Sequence, residues 1–253
     1  GGVGDVFRPG GGGEPFAGLN AMVLGGTGGT GQQIVKALLR EGVPCSVFAR
    51  SAKKAQEIFK DDIEMEGVKV FEGDVTSYED VARAMEGSGC NVLFVATGTR
   101  AAMDPLGPFT VDYNGTLNAV ASAKAVKAKH VVLVTSIGVD DILFPLNLFW
   151  GVLFWKKRAE EALQRSGLRY TIVRPGGLQD EPRAGSSAGA IKMAKADSYG
   201  LPPRQTPGSI LRSQVAQVCA QALVQDAAFN KTVEIIAVEN EDEVPLPDQF
   251  SSI

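Results

Sequence analysis

Short apolar runs alternate with longer segments in which apolar residues recur every three or four positions, and the alternation continues from residue 20 to residue 238. Runs such as AMVL, VLFV and VVLV carry no polar residue at alternate positions, the pattern of strands covered on both faces of a parallel sheet. Strands are expected at 20–24, 44–49, 68–71, 91–95, 131–134, 169–173 and 232–238. Between them Ile34, Val35, Leu38 and Leu39 lie on one helical face, as do Leu117, Val120, Ala121 and Ala125 within 112–127, and Val215, Val218, Cys219, Ala222 and Leu223 in a helix opened by Ser213. Further helices are expected at 53–60, at 151–165, and from Thr76 or Ser77 to 85, where Glu79 or Asp80 completes a capping box. Alternating strands and helices predict an α/β fold, a single domain at 19–238 built on one doubly wound parallel sheet. Residues 1–18, glycine-rich with Pro9 and Pro15, read as a flexible arm. Residues 239–253 read as an acidic tail, and 180–207 as an irregular stretch able to cover a site.

The stretch AMVLGGTGGTGQQIVKALLREGVPCSVFAR, residues 21–50, joins the first strand to the first helix through Gly25, Gly28 and Gly31. Without a Cβ, Gly25 can turn sharply out of the strand, Gly28 can let backbone N–H groups approach a pyrophosphate, and Gly31 can let the helix lie close on the sheet. The orphan amides and positive dipole end of that helix then face the phosphates, so the stretch predicts a dinucleotide site. The second strand ends without the acidic residue that would hold a ribose 2′-hydroxyl. Arg50 and Ser51 stand there, with Lys53 and Lys54 just beyond, and a guanidinium beside a hydroxyl suits a 2′-phosphate. The expected cofactor is therefore NADP(H), in preference to NAD(H).

Composition narrows the remaining classes. The 253 residues are 44% hydrophobic and 21% charged, enough apolar material for one full core. A net charge of −4 and dispersed basic residues argue against a nucleic-acid surface. Cys45, Cys90 and Cys219 are odd in number and far apart, which reads as reduced core thiols and offers no metal ligand set. The longest apolar stretch, 142–155, is broken by Pro145, Asn147 and Gly151, well short of the roughly 20 residues a spanning helix requires. His130 is the one histidine and starts its strand at the end away from the ligand edge, so neither a histidine-based triad nor a metal site can be built on it.

Further candidates lie at carboxyl ends of expected strands, where open parallel sheets bind ligands. Asp74 can accept from an adenine amino group or cap its own loop. Ala96, Thr97, Gly98 and Thr99 leave room for a ribose or nicotinamide, or make a plain tight turn. Ser136 can donate to a substrate carbonyl oxygen or cap the turn after its strand. Pro175 and Gly176 lie in the turn after the sixth strand, on the same edge.

Taken together, GGTGGTG at 25–31, FAR at 48–50, GDVTS at 73–77, ATG at 96–98, VDYNGTLN at 111–118, VTSIGV at 134–139 and SGLRYTIVRPGGL at 166–178 resemble the atypical short-chain dehydrogenase/reductase superfamily. The run from Lys156 through AEEALQRSGLRYTIVRPGGL is similar to its NmrA-like and Tic62-like branch of plastids and cyanobacteria. The resemblance implies a Rossmann domain using NADP(H) and residence in the chloroplast stroma or at the thylakoid periphery. It also implies a pyrophosphate turn of Gly25, Thr27, Gly28, Gly29, Thr30 and Gly31. Arg50 and Ser51 would hold the 2′-phosphate, Asp74 and Val75 border adenine, Ala96, Thr97 and Gly98 border the ribose, and Lys156 contact the nicotinamide ribose.

One departure bears on activity. Active members of the superfamily carry tyrosine four residues before the lysine, where it passes a proton as hydride moves, and here that position is Val152. Ser136 and Lys156 remain as catalytic candidates. Two functions stay open: an oxidoreductase whose proton comes from water, Ser136 or the substrate, and a non-catalytic, redox-sensing NADP(H)-binding scaffold or assembly factor in the plastid. Residues 143–155, beginning at Leu143 and ending at Trp155, are bulky enough to dock a protein partner or the thylakoid membrane surface, or to line a substrate cavity.

Overall fold

Strand β1 (Ala21–Leu24) is buried at every residue because helices cover both faces of the sheet it centres. The computed structural model describes residues 14–62, 65, 67–98, 104–141, 143–148 and 150–253. Along the chain follow α1 (Gly29–Arg40), β2 (Cys45–Ala49), α2 (Ala52–Lys60), β3 (Lys69–Glu72), α3 (Tyr78–Ser88), β4 (Val92–Val95), α4 (Gly115–Ala125), β5 (His130–Val134), α5 (Val152–Gln164), β6 (Tyr170–Pro175), β7 (Gly177–Gln179), β8 (Ala190–Lys195), β9 (Ser209–Leu211), α6 (Arg212–Ala222), β10 (Lys231–Val238) and α7 (Leu246–Ser252). Eight of the strands form one sheet in the order β3-β2-β1-β4-β5-β6-β10-β8, parallel throughout except that β8 runs antiparallel to β10. The fold is the expected Rossmann-like, doubly wound α/β domain.

Side chains alternate across β1 and divide the core in two. Val23 joins Ile34, Val35 and Leu38 of α1 and Val218 and Cys219 of α6 on one face. Met22 and Leu24 join Val81 and Met85 of α3, Ala119 of α4 and Leu163 of α5 on the other. All three cysteines are free and buried, as expected of core thiols.

Beneath the carboxyl end of β6 the interior is charged. Arg174 is 1% exposed and donates to both carboxylate oxygens of Glu160 at 2.8 Å, to Asp197 at 2.7 Å and to Glu234 at 3.3 Å. Burial opposes its charge, but Glu160 and Asp197 outweigh that and hold its pKa above the ordinary arginine value. Glu234 also accepts backbone N–H groups of Asp197, Ser198 and Tyr199, which fixes the turn after β8.

The structure departs from the sequence reading in five places. The stretch 180–207 contains β8, an edge strand, where the expectation was irregular chain throughout. Its pairing to β10 is non-local, and its alternation of buried and exposed residues is brief. The tail expected from 239 carries α7, which buries Phe250 completely. Gln249 of α7 accepts from the Met193 N–H and donates to the Ile191 carbonyl, pairing backbone groups that the edge of β8 would otherwise leave open. The helix expected at 112–127 begins earlier, as a π-helical turn at Pro108–Asn114 that runs into α4. At α3 only half of the capping box forms: Ser77 accepts from the Asp80 N–H at 3.2 Å, while the Asp80 carboxylate takes the N–H of Asp74. Of the expected N-terminal arm, Phe16 is buried in the core, and residues 1–13 lie outside the described residues, as do Thr99, Ile142 and Phe149.

Candidate functional site

The chain leaves β1 toward β2 on one side and returns through β4 on the other, so a crevice opens at the carboxyl ends of β1 and β4. Gly25 sits there with φ +82°, and a Cβ on it would lie 2.5 Å from the Ala96 carbonyl oxygen. A Cβ on Gly31 would lie 1.9 Å from the Gly25 carbonyl oxygen, so α1 can approach the turn only as glycine. Gly26, which sequence reasoning did not single out, would drive a Cβ into Val47 at 2.6 Å. Gly28 differs: its nearest neighbour would be 3.4 Å away, leaving its face open.

Among the described residues no side chain caps the start of α1, and no acidic residue occupies its first turn. Its orphan N–H groups and positive dipole end therefore face open space. Gln32 braces the turn by donating to the Thr27 carbonyl at 2.7 Å. The space is a cavity of about 1380 Å³, above the usual range of roughly 300 to 1,000 Å³ for small-molecule sites. Thr27, Gly28, Gly29 and Thr30 line it, and so do Ala96, Thr97 and Gly98 after β4. Ser136 lines it after β5, Val152 and Lys156 from α5, Pro175 at the end of β6 and Gly176 just beyond it.

Within this wall Lys156 is held. Its ammonium lies 2.8 Å from Asp112 Oδ1, and the two side chains are 16% and 2% exposed. Asp112 belongs to the π-helical turn, and its carbonyl accepts from the Thr116 hydroxyl at 2.7 Å. Sequence reasoning took Asp112 only as the start of a helix. Its place in VDYNGTLN was the signal available. Ser136 donates to the Ile137 carbonyl at 3.0 Å, the turn-capping arrangement, while its side chain still borders the cavity. Tyr113 is not among the lining residues. It packs with Phe109 and Trp155, with ring centroids 6.0 and 5.3 Å away.

The adenine-side candidates lie at the ends of β2 and β3, outside the cavity lining. Arg50 is exposed. Ser51 accepts from the Lys54 N–H at 3.3 Å and is the N-cap of α2. Asp74 accepts from the Thr76 N–H and hydroxyl at 2.9 and 2.8 Å, and these bonds, with the nearby Arg50 charge, hold its carboxyl below the usual range. Val75 packs toward Gly115, and its carbonyl accepts from Asn118 at 2.9 Å.

This glycine turn opens a segment, residues 25–226, that matches the model of an NAD(P)H-binding family. The chain belongs to that family. Its relatives include chloroplastic proteins: 34% identity to protein TIC 62 of rice (Oryza sativa subsp. japonica), over 92% of this chain and 49% of that protein, and 36% identity to an uncharacterised chloroplastic protein of Arabidopsis thaliana, over 92% and 81%. The chain thus spans about half the length of the rice TIC 62 protein. Among solved structures, a candidate NAD-dependent epimerase/dehydratase of Bacillus halodurans superposes with a TM-score of 0.77 at 23% identity, covering 93% of this chain and all of the other. That likeness is one of fold.

The family's nucleotide fits the residues present. Bare amides at α1, an open face at Gly28 and glycines that admit no Cβ at 25 and 31 form a cradle for a diphosphate. Two basic residues of the wall, Arg183 and Arg212, escaped the sequence reading. Arg212, the first residue of α6, reaches across to Gly29, where a Cβ would meet its Cδ and Nε at 2.9 Å. A basic residue at the start of a predicted helix, where acidic ones are favoured, was the signal that could have found it.

Proposed function

We propose that the chain binds NADP(H) in this cavity and acts as an oxidoreductase on an electrophilic acceptor of the carbonyl or quinone class. The observation that carries the reading is the uncapped start of α1 opening into the same cavity as Lys156. Gly25, Gly28 and Gly31 let backbone amides approach the diphosphate, and Arg50 with Ser51 receives the 2′-phosphate. Asp74 and Val75 flank the adenine, and Ala96, Thr97 and Gly98 flank the ribose. When bound, the cofactor supplies or accepts a hydride. Asp112 holds the Lys156 ammonium toward the nicotinamide ribose. Ser136 exchanges its bond to the Ile137 carbonyl for one to the acceptor's oxygen. Val152, standing where the superfamily's tyrosine would be, exchanges no proton, so the proton comes from solvent, from Ser136 or from the acceptor itself.

Titration with NADPH and NADH tests the cofactor half: tighter NADPH binding is expected, and equal affinity or none refutes it. Arg50→Ala should weaken NADPH far more than NADH, by about 1 to 3 kcal/mol for a lost charged hydrogen bond. NADPH oxidation with a panel of quinones and carbonyls, in the wild type and in Lys156→Ala, tests the catalytic half.

A second reading rests on the surface. Leu143, Leu148 and Trp150 are 81%, 86% and 51% exposed, and Phe154 beside them is 43% exposed. Among the described residues no helix is long and apolar enough to cross a membrane. On this reading the protein is a redox-sensing NADP(H)-binding scaffold in the chloroplast stroma or at the thylakoid periphery, docked through this patch to a protein or to the membrane surface. Tight NADPH binding without turnover, together with co-purifying partners, would favour it.

A further inference from the structure

The position of Arg212 is electrostatically unfavourable as it stands. It occupies the first turn of α6, at the positive end of that helix's dipole, and its side chain lies against Gly29, at the positive end of α1. Both helix starts repel a cation by the same physics that draws an anion to them. No acidic residue lies in the first turn of either helix. The charge is met by Asp180, whose Oδ1 accepts from Arg212 Nη1 at 2.9 Å, but that carboxylate is 78% exposed and its pull is diluted by solvent. Arg212 itself is only 28% exposed and lines the cavity. Two helix starts and a guanidinium therefore converge on one point inside a cavity, with a weak counter-charge at its rim.

We propose that Arg212 is a clamp for the cofactor's diphosphate, exchanging the exposed Asp180 carboxylate for diphosphate oxygens when the nucleotide enters. The inference rests on the dinucleotide reading above and adds to it a residue outside the glycine turn. The guanidinium already lies beside the bare amides of α1, so the diphosphate would be held from two sides, by backbone N–H groups and by a fork of charged donors. Asp180 keeps the side chain extended over Gly29 until then. Because the diphosphate is common to NADPH and NADH, Arg212 contributes affinity without choosing between them. Arg50, by contrast, acts on the 2′-phosphate alone.

The test is fluorescence titration of NADPH and of NADH into the wild type, Arg212→Gln, Arg212→Lys and Arg50→Gln, with thermal unfolding confirming that each variant is folded. Arg212→Gln should weaken both nucleotides by a similar factor of about 10 to 100, the worth of a charge-assisted hydrogen bond. Arg212→Lys, which keeps the charge and loses the fork, should recover part of that loss. Arg50→Gln should weaken NADPH far more than NADH. A folded Arg212→Gln that binds both nucleotides as the wild type does overturns the clamp and leaves the dinucleotide reading intact, as does a loss confined to NADPH. If Arg212→Gln fails to fold, Arg212→Lys decides alone: wild-type affinity for both nucleotides overturns the bidentate clamp, and a common loss supports it. A wild type that binds neither nucleotide overturns the parent reading and this inference with it.

Discussion

His130 makes a sharp prediction about stability and pH. Its ring is 3% exposed at the start of β5, packed against Phe229 at 4.9 Å between centroids. Nε2 lies 2.9 Å from Thr171 Oγ1, and that hydroxyl donates its proton to the Ala228 carbonyl at 2.7 Å. Nε2 must therefore be the donor and the ring the Nε2–H tautomer, leaving Nδ1 buried without a partner. A proton on Nδ1 would be a buried, unsatisfied charge, and burial, reinforced by the nearby Arg169, lowers the pKa from 6.5 to about 4. The unfolded chain binds the proton more readily, so this contribution is intact above pH 6.5 and is lost as pH falls from there toward 4. By pH 4.5 the loss is about 2.5 kcal/mol, from about 1.4 kcal/mol per pKa unit. Urea unfolding of wild type and His130→Leu at pH 7.5 and 4.5 measures it. The wild type should lose about 2 to 3 kcal/mol more than the variant over that interval. Parallel pH profiles would refute both the neutral tautomer and the burial argument.

Three further outcomes follow from the same structure. Gly31→Ala places a methyl 1.9 Å from a backbone oxygen, so α1 must retreat from the turn; NADPH affinity should fall more than about tenfold and urea unfolding show a loss of about 1 to 3 kcal/mol, the usual cost of overpacking. Glu160→Ala removes the bidentate partner of a fully buried Arg174 and should cost about 3 to 5 kcal/mol in urea unfolding, whereas the half-exposed Asp197→Ala should cost far less. Val152→Tyr puts a phenol four residues before Lys156 in the cavity wall, and carbonyl reduction by NADPH should rise by about 100-fold or more if proton supply limits turnover; an unchanged rate would remove proton supply from the account.

The central architecture was legible because it rests on local, periodic signals. Fully apolar strands such as Val92–Val95 declared their burial on both faces, and GGTGGTG announced its own steric need, now visible in the contacts a Cβ would make at Gly25 and Gly31. What escaped depends on distant partners. β8 is a strand because β10 and Gln249 pair with it, and AIKMAK alone does not state that. The π-helical turn at Pro108–Asn114 depends on hydrogen-bond register, which side-chain spacing does not encode. At the site, Ser136 was found because it follows the end of an apolar strand, and Lys156 because the run it opens resembles a known superfamily. Asp112 and Arg212 were missed because their partners stand 44 and 32 residues away in sequence. The residues at 50, 51, 74 and 75 do lie at the carboxyl ends of strands, and there Asp74 caps its own loop, the alternative its position left open, while Ser51 spends its side chain on capping α2, which only the folded chain displays.

The pairings of the cavity's cations divide their work. Lys156 is balanced by a carboxylate that is 2% exposed, so its charge is largely neutralised where it stands, and what it offers a ligand is a fixed donor direction. Arg212 is balanced by a carboxylate in solvent, so its field reaches the cavity, and an entering anion meets little competition there. Salt should act accordingly. If Arg212 clamps the diphosphate and Lys156 meets the nicotinamide ribose, ionic strength should weaken the first contribution much more than the second. On the proposed reading the glycine turn and Arg212 therefore serve capture, and the Asp112–Lys156 pair serves alignment. A protein retained only as a scaffold has need of the first and no evident need of the second.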